Sequence, residues 1–312
     1  MSAIEQLKGI YAPIVTPCDA AERMDEERFA ANAERLLSEG LQGLYVCGGT
    51  GDAGKLTVEE RKQACRIAAE IVRAKAKRMI VHVGSTSERV SVELARHAAE
   101  HGADAVSAIP PSGLAPNLLR QYYAALARAS GLPVIIYHIP AVTGYQFTFD
   151  QLIELLSIPG VAGIKMTDWN LFLMNRITME KPDAVVYNGY DEMMVPGLLY
   201  GAGGCIGTWV NLFPEMYVQA DGLLKAGRVQ EAMRIQSAFL HFLAFAWKHN
   251  VIAVFEALMR NRGYAQVCFR KPFEALPADR AEPIVAEAER RIAVLQRTAA
   301  EILATVKQEG QP

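Results

Sequence analysis

Eight short apolar segments recur within about the first 210 residues of this 312-residue chain, and a longer amphipathic stretch follows most of them. Most of the short segments are continuously apolar, which is typical of parallel strands that are covered on both faces. Strands that alternate with helices form α/β folds, because each helix returns the chain to the start of the next parallel strand. The pattern therefore predicts a parallel α/β architecture before any single residue is considered.

The number of strand–helix units favours a closed (β/α)8 TIM barrel, and a doubly wound open sheet is the alternative. The predicted strands are residues 11–15, 43–47, 79–83, 105–109, 134–137, 161–165, 184–188 and 204–207. Capping boxes at 57–60 and 85–88 predict two helix starts, since side chains there can satisfy the first free amides of a helix. The eighth strand is the weakest, because four glycines crowd it: Gly201, Gly203, Gly204 and Gly207.

The strand pattern stops after about residue 213, and helical periodicity continues to near the end of the chain. The predicted helices are residues 214–226, 229–250, 251–261 and 281–307. We therefore expect a barrel over residues 1–212 that carries the active site, and a C-terminal α-helical extension over residues 213–312 that packs on it. No composition break indicates a flexible linker between the two.

Composition and charge exclude several classes of function. The formal net charge is −2 and no basic stripe occurs, so nucleic acid is not an expected partner. The longest apolar runs are too short or too glycine-rich to span a bilayer, and the first ten residues lack the pattern of a signal peptide. Five widely spaced cysteines suggest buried thiols in a reducing compartment, and no Cys/His spacing indicates a metal. These features predict a cytoplasmic protein that binds neither a membrane nor a metal ion.

Two polar residues end apolar strands, where barrel enzymes place their functional groups. Lys165 follows the apolar run 161–164, and a lysine emerging from a barrel core is either paired, extended to the rim, or functional as a Schiff-base nucleophile. Tyr137 ends the fifth predicted strand and is either a core tyrosine or a proton relay. Position alone leaves these alternatives open, and for the neighbouring His138 it favours a packing or hydrogen-bonding role.

Two loops at strand ends could bind a substrate. The segment Gly48 to Asp52 (GGTGD) offers backbone amides at a strand-to-helix turn, which suits a carboxylate. It is not a Walker A loop, because Leu56 stands where a Ser or Thr would hold magnesium. Tyr190, Asp191 and Glu192 follow the seventh predicted strand and are either hydroxyl ligands for a sugar or a solvated acidic helix start.

In chain order, these motifs resemble the N-acetylneuraminate lyase/dihydrodipicolinate synthase superfamily. The resemblance runs from about residue 11 to residue 272. It rests on residues 48–52 (GGTGD), 137–144 (YHIPAVTG), 163–167 (GIKMT), 188–192 (NGYDE) and 270–272 (RKP), and on the glycine-rich eighth strand. It implies a class I aldolase or lyase that holds pyruvate as a Schiff base and needs no metal or diffusible cofactor. It also implies a homotetramer whose partners are a small keto acid and a sugar-like aldehyde.

The resemblance assigns roles to individual residues. Lys165 would form the Schiff base, Tyr137 would relay protons to the substrate oxygen, and Thr50 would complete the catalytic set. The amides of Gly49 and Thr50 would hold the pyruvate carboxylate. The remaining substrate-binding residues it implies are Thr167, Gly189, Tyr190, Asp191, Glu192, Ile206 and Thr208.

Within the superfamily, the segment 189–192 (GYDE) is similar to the sialic acid lyases and makes cleavage of N-acetylneuraminate to N-acetylmannosamine and pyruvate the first hypothesis. Gly49, where these lyases carry serine, is similar to the aldolases and dehydratases of 2-keto-3-deoxygluconate and deoxyglucarate type, which form the alternative. Dihydrodipicolinate synthase is disfavoured, because Val142 stands where those enzymes carry an arginine and residues 110–114 (PPSGL) lack their tyrosine. A non-catalytic protein that binds a keto acid is the last alternative.

Overall fold

The computed structural model describes residues 3–309 as a closed barrel of eight parallel strands. The strands are β1 Gly9–Pro13, β2 Gly43–Val46, β3 Arg78–His82, β4 Ala105–Ala108, β5 Val134–His138, β6 Val161–Met166, β7 Val185–Asn188 and β8 Gly204–Cys205. Each strand pairs with the next in parallel, and β1 pairs with β8 through Gly9 and Gly204. This last pairing closes the sheet, which confirms the (β/α)8 barrel and excludes the doubly wound alternative.

Helices surround the barrel and continue past its last strand. They are α1 Ala3–Leu7, α2 Glu26–Ser38, α3 Val58–Ala74, α4 Glu88–Glu100, α5 Pro116–Ser130, α6 Pro140–Thr143, α7 Phe149–Leu156, α8 Leu171–Glu180, α9 Met194–Leu199, α10 Pro214–Lys225, α11 Val229–Lys248, α12 Val251–Asn261 and α13 Ala278–Glu309. Two 3₁₀ helices, Asp191–Met193 and Thr208–Asn211, follow β7 and β8 directly. Helices α10 to α13 agree with the predicted helical C-terminal region; the domain division at residue 212 stays a prediction.

The two predicted capping boxes have different outcomes. Thr57 caps α3 as predicted, with reciprocal hydrogen bonds between its side chain and Glu60. The box predicted at Ser85 is wrong, because α4 begins only at Glu88 and its N-cap Ser87 makes no side-chain cap. Ser85 Oγ instead accepts a hydrogen bond from the Ser87 amide at 3.2 Å. This local bond forms a turn before the helix.

The alternation of side chains along each strand decides which residues reach the barrel interior. In β5, Val134 and Ile136 pack outward in the core beneath the helices, whereas Ile135 packs in the separate core inside the barrel. In β6, Ile164 and Met166 pack outward in the same way. Tyr137 and Lys165 therefore have the inward phase, at the end of the strands where barrel enzymes bind their substrates.

The lower barrel is filled with side chains and is not a pore. Its core includes Tyr11, Tyr45, Ile80 and Tyr187, and the rings of Tyr11 and Tyr187 meet edge to face at 5.8 Å. Below the mouth there is consequently no room for a substrate, and any ligand must enter from the loops after the strands.

Within residues 3–309, no single helix is long and apolar enough to cross a membrane. Among these described helices, only α11 and α12 counted together, with a 105° bend between them, reach the required length and composition.

Candidate active site

A buried lysine lies at the centre of the barrel mouth. The Lys165 side chain is 4 % exposed, so it does not extend to the rim. Tyr137 is its register partner on β5, and the Lys165 Nζ lies 3.9 Å from the centroid of the Tyr137 ring and 5.0 Å from that of Tyr45. An ammonium over aromatic faces is stabilised by the ring quadrupoles. The lysine is therefore held at a fixed position with its nitrogen beside the Tyr137 ring.

Neutral aromatic groups form the wall behind this pair. The Tyr137 ring meets the rings of Tyr45 and His82 edge to face, at 6.3 Å and 6.1 Å. Tyr45 donates a hydrogen bond to Ser107 Oγ at 3.0 Å, and burial raises the pKa of its phenol well above the usual value. Burial, with help from Arg61 and Lys165, holds the pKa of His82 well below its usual value. Tyr45 and His82 thus stay uncharged at neutral pH, and no sequence motif singles them out because their roles depend on this packing.

The glycine-rich loop after β2 reaches the same place. Thr50 and Thr208 share a hydrogen bond of 2.8 Å between their hydroxyl oxygens, which joins the ends of β2 and β8. A Cβ built on Gly49 would have the Tyr137 hydroxyl as its nearest neighbour, 4.0 Å away. Gly49 therefore leaves open space beside Tyr137 where a side chain would fit. The loop turns sharply, since Cys47 and Asp52 adopt left-handed φ values of 56° and 55°.

Contacts from the C-terminal region hold this loop in place. Asp52 Oδ2 accepts a hydrogen bond of 2.8 Å from the Arg270 amide, and Lys55 Nζ donates one of 2.6 Å to the Arg270 carbonyl. The Arg270 guanidinium pairs with Glu60 at 2.5 Å, near the start of α3. The Arg270-Lys-Pro272 motif therefore supports the glycine-rich loop.

The ends of β6 and β7 pack closely against each other. The hydroxyl of Thr167 is buried, and a Cβ on Gly189 would collide with it, so this close approach requires glycine. His138 points outward and donates from Nε2 to Asp168 Oδ2 at 3.2 Å. Burial lowers the pKa of His138, and the Asp168 carboxylate opposes this effect. The hydrogen-bonding role predicted for His138 agrees with this contact.

The three polar residues after β7 take different directions. The Asp191 side chain is 6 % exposed and accepts hydrogen bonds from the Tyr217 hydroxyl and, at 3.3 Å, from the Trp209 amide. Burial raises its pKa from 3.8 to about 7, although the Tyr217 hydrogen bond favours the charged form. A Cβ on Gly207 would collide with this carboxyl, so glycine is required there.

Glu192 and Tyr190 lie closer to solvent. Glu192 Oε1 accepts a hydrogen bond of 2.9 Å from the indole N–H of Trp247, and the Tyr190 ring stacks on Trp169. Ile206 packs its side chain inside the barrel. Binding of a substrate by Tyr190, Asp191, Glu192 and Ile206 stays a prediction, and the structure turns the Asp191 carboxyl towards α10.

The structure thus brings together Lys165, Tyr137, Gly49, Thr50 and Thr208. These residues lie on, or directly after, four different strands. Within residues 3–309, no group of three or more His, Cys, Asp or Glu side chains is arranged to hold a metal ion. The chemistry available at the mouth is that of a primary amine, a phenol, two hydroxyls and backbone amides.

Comparison with known proteins identifies the family. The model of the dihydrodipicolinate synthetase family matches residues 6–290. The N-acetylneuraminate lyase of Escherichia coli O1:K1 is 35 % identical over 271 residues, which cover 86 % of this chain and 91 % of the lyase.

Solved structures agree. The catalytic lysine mutant of the Ruminococcus gnavus sialic acid aldolase superposes with a TM-score of 0.88 at 28 % identity, covering 95 % of this chain and 99 % of the aldolase. A dihydrodipicolinate synthase from Agrobacterium tumefaciens C58 superposes with a TM-score of 0.84 at 26 % identity, covering 93 % of this chain and 99 % of the synthase.

Together with these relatives, a closed (β/α)8 barrel with a buried lysine at its mouth identifies this protein as an enzyme of the Schiff-base aldolase class, a carbon–carbon lyase. Within that class, the chain belongs to the dihydrodipicolinate synthetase family.

Proposed function

We propose that this class I pyruvate aldolase cleaves a 2-keto-3-deoxy sugar acid, and that its substrate is N-acetylneuraminate, which yields N-acetylmannosamine and pyruvate. The observation that carries the proposal is the position of the Lys165 Nζ, 3.9 Å from the centroid of the Tyr137 ring and buried at the barrel mouth. The 35 % identity to the E. coli N-acetylneuraminate lyase supports the choice of substrate.

In the proposed reaction, the Lys165 amine attacks the C2 ketone, and loss of water leaves an iminium that withdraws electrons from C3. The C3–C4 bond then breaks, its electron pair forms an enamine, and C4 becomes the carbon of the released aldehyde. The proton of the C4 hydroxyl leaves through the Tyr137 hydroxyl, whose own proton passes to the substrate carboxylate. The proton on the carboxylate then passes to C3 of the enamine. Water hydrolyses the resulting imine, which releases pyruvate and regenerates the Lys165 amine.

The residues around the loop supply binding in this scheme. The Gly49 and Thr50 amides and the Thr50 hydroxyl hold the carboxylate of the pyruvate half. The open space at Gly49, with the Tyr137 hydroxyl 4.0 Å from its built Cβ, would put that carboxylate within reach of the phenol. The Thr50–Thr208 hydrogen bond of 2.8 Å holds the Thr50 hydroxyl oxygen in place.

The experiment is reduction with borohydride in the presence of pyruvate, followed by peptide mass spectrometry. We expect the reduced pyruvyl group on Lys165 and pyruvate release from N-acetylneuraminate without added metal. Both should be lost in Lys165→Ala and retained in Lys248→Ala, which removes an exposed lysine from the end of α11. An unlabelled Lys165 would contradict the mechanism and would favour a non-catalytic protein.

Gly49 favours a second candidate, an aldolase or dehydratase of 2-keto-3-deoxygluconate or deoxyglucarate type. Its support is the absence of a side chain beside Tyr137, where the sialic acid lyases carry serine. Parallel assays with N-acetylneuraminate and 2-keto-3-deoxygluconate distinguish the two, because turnover of only the shorter acid would favour this candidate. A product that keeps the carbon chain without free pyruvate would indicate dehydration. Dihydrodipicolinate synthesis is a weaker candidate, since Val142 is exposed on α6 and supplies no cation.

We also propose a homotetramer in the cytoplasm. Exposed apolar side chains on α8 and at the end of α9, namely Met179, Leu199 and Tyr200, support an interface between subunits. Five free, buried cysteines are typical of a reducing compartment. Light scattering after size-exclusion chromatography should give four times the chain mass of 34.2 kDa, and a monomer would contradict the assembly.

A further inference from the structure

An exposed aromatic pair stands beside the barrel mouth. The indole of Trp169 stacks on the Tyr190 ring with centroids 4.2 Å apart and planes 14° from parallel. Trp169 follows Thr167 by two residues in the loop after β6, and Tyr190 follows Gly189 in the loop after β7. The indole remains 54 % exposed in spite of this contact. A large aromatic side chain that is ordered by stacking and still open to solvent offers a flat surface for binding.

The loop that carries Trp169 is fixed on both sides of the indole. Asp168 accepts hydrogen bonds from His138 Nε2 at 3.2 Å and from the Asn170 amide at 3.1 Å. Asn170 Oδ1 in turn caps α8 by accepting from the Leu173 amide at 2.9 Å. The backbone around the indole is therefore organised before a ligand arrives, so binding there does not require an ordering of the loop.

The position of the pair restricts what it can contact. Trp169 lies four residues beyond Lys165 in the sequence. A strand advances about 3.3 Å per residue, so the Trp169 backbone lies at most roughly 13 Å further along. In the proposed reaction the keto-acid half is attached at Lys165, so an aldehyde half that extends towards the loops after β6 and β7 would reach the pair. Glu192 lies two residues from Tyr190 and keeps a carboxylate near solvent, hydrogen-bonded to Trp247 at 2.9 Å.

A flat aromatic surface beside a carboxylate suits a hydroxylated carbon chain. Such a chain has one face of C–H groups, which pack on an aromatic ring, and hydroxyls on its edge, which donate to a carboxylate. The Tyr217 hydroxyl and the Trp209 amide both donate to Asp191 Oδ1, so one oxygen of that carboxyl is committed to these contacts.

We infer that Trp169 and Tyr190 form an aromatic platform that binds the C–H face of the aldehyde half of a sugar acid, with Glu192 receiving its hydroxyls. The inference rests on the proposed aldolase function and adds a specificity-determining residue, Trp169, to it. The platform contacts carbons beyond the bond that breaks, so it contributes to substrate affinity and to the preference for long sugar acids. It takes no part in Schiff-base formation.

The test compares two substrates in three variants. Trp169→Ala removes the platform, Trp169→Phe keeps part of it, and Phe172→Ala removes a 70 % exposed ring three residues away. The substrates are N-acetylneuraminate and 4-hydroxy-2-oxopentanoate, which has the same reacting carbons and only a methyl group beyond them. We expect Trp169→Ala to raise KM for N-acetylneuraminate about tenfold, with kcat and the KM of the short acid nearly unchanged. Trp169→Phe should be intermediate, and Phe172→Ala should match the wild type.

Two further readouts keep this inference separate from the proposed function. Borohydride trapping of pyruvate on Lys165 tests the aldolase chemistry alone and should be equal in all three variants. Calorimetric binding of N-acetylmannosamine tests the platform without any reaction, and its affinity should fall about tenfold in Trp169→Ala only. Equal KM changes for both substrates, or unchanged N-acetylmannosamine binding, would overturn the platform while leaving the trapping result intact. A changed molecular mass of Trp169→Ala in light scattering, with unchanged KM values, would show a subunit contact and would also overturn it.

Discussion

At the scale of single residues, Lys165 and Tyr137 perform separable tasks even though their side chains touch. Lys165 forms the covalent bond in the proposed mechanism, whereas Tyr137 only moves a proton. The two sit on neighbouring strands in direct register, and the ring supports the amine through the contact of 3.9 Å. A phenylalanine at position 137 would keep that ring contact and remove only the hydroxyl. The pair therefore allows packing and proton transfer to be tested independently.

We expect Tyr137→Phe to lower kcat for aldol cleavage by about a hundredfold or more, because general acid–base groups typically contribute factors of roughly 10² to 10⁴. Borohydride should still trap pyruvate on Lys165 in this variant. Steady-state assays of pyruvate release and mass spectrometry of the reduced enzyme measure the two effects. Tyr264→Phe is the matched control, since it removes a phenol from a ring that packs under Arg35, away from the mouth. A wild-type kcat in Tyr137→Phe would assign the proton relay to another group.

At the scale of elements, the glycine-rich loop depends on a segment far along the chain. The hydrogen bond between Asp52 and the Arg270 amide joins residues 218 positions apart, and Lys55 and Glu60 add further contacts to Arg270. These contacts place the start of α3, and with it the end of the loop, against the segment before α13. The rigidity of the loop that we propose to hold the carboxylate therefore depends on these contacts with Arg270.

We expect Arg270→Ala to lower the free energy of unfolding by about 2 kcal/mol, because it removes a buried guanidinium and its ion pair with the partly exposed Glu60. The contacts with Asp52 and Lys55 use the Arg270 backbone and remain in this variant, so KM for the sugar acid should rise by less than about tenfold. Denaturant titration and steady-state kinetics measure the two quantities. The control is Arg280→Ala, which breaks an exposed pair with Asp279. This surface change should alter stability by less than about 0.5 kcal/mol. Equal stabilities of the two variants would contradict this role of Arg270.

Comparison of the observed elements with the sequence shows which features local sequence patterns can predict. The predicted segments overlap all eight strands, although β1 begins two residues earlier than predicted because Gly9 pairs with Gly204. The inward phase of Tyr137 and Lys165 follows from the alternation of side chains along a strand. The direction of Asp191 does not, because it depends on Tyr217 in a later helix. No sequence pattern identifies Trp169 either. A tryptophan in a loop has no periodicity, and its stacking partner Tyr190 lies at the end of another strand.

At the scale of the whole molecule, the barrel mouth and the C-terminal helices are connected through residues 190–192. Asp191 accepts from Tyr217 of α10, and Gln236 of α11 donates to the carbonyls of Asp191 and Glu192 at 3.2 Å and 3.3 Å. Trp247, near the end of α11, holds the Glu192 carboxylate at 2.9 Å. The helices after the barrel therefore set the conformation of a loop that we propose to contact the substrate. A change in the charge of Asp191 should therefore affect both the loop at residues 190–192 and its contacts with the C-terminal helices.

The buried Asp191 carboxyl predicts a specific pH dependence of stability. Burial raises its pKa from 3.8 to about 7 in the folded protein. Between these values the folded state therefore binds a proton that the unfolded state has already released. The stabilising contribution of the protonated form is complete below about pH 4 and is lost as the pH rises towards 7.

Asp191→Asn does not titrate, and its amide resembles the protonated carboxyl in shape. We expect the free energy of unfolding of the wild type, relative to Asp191→Asn, to fall as the pH is raised from about 4 to about 8. Denaturant titrations of both proteins across this range measure the difference, and a difference that is constant with pH, or one that grows as the pH rises, would show that the folded protein holds Asp191 ionised throughout.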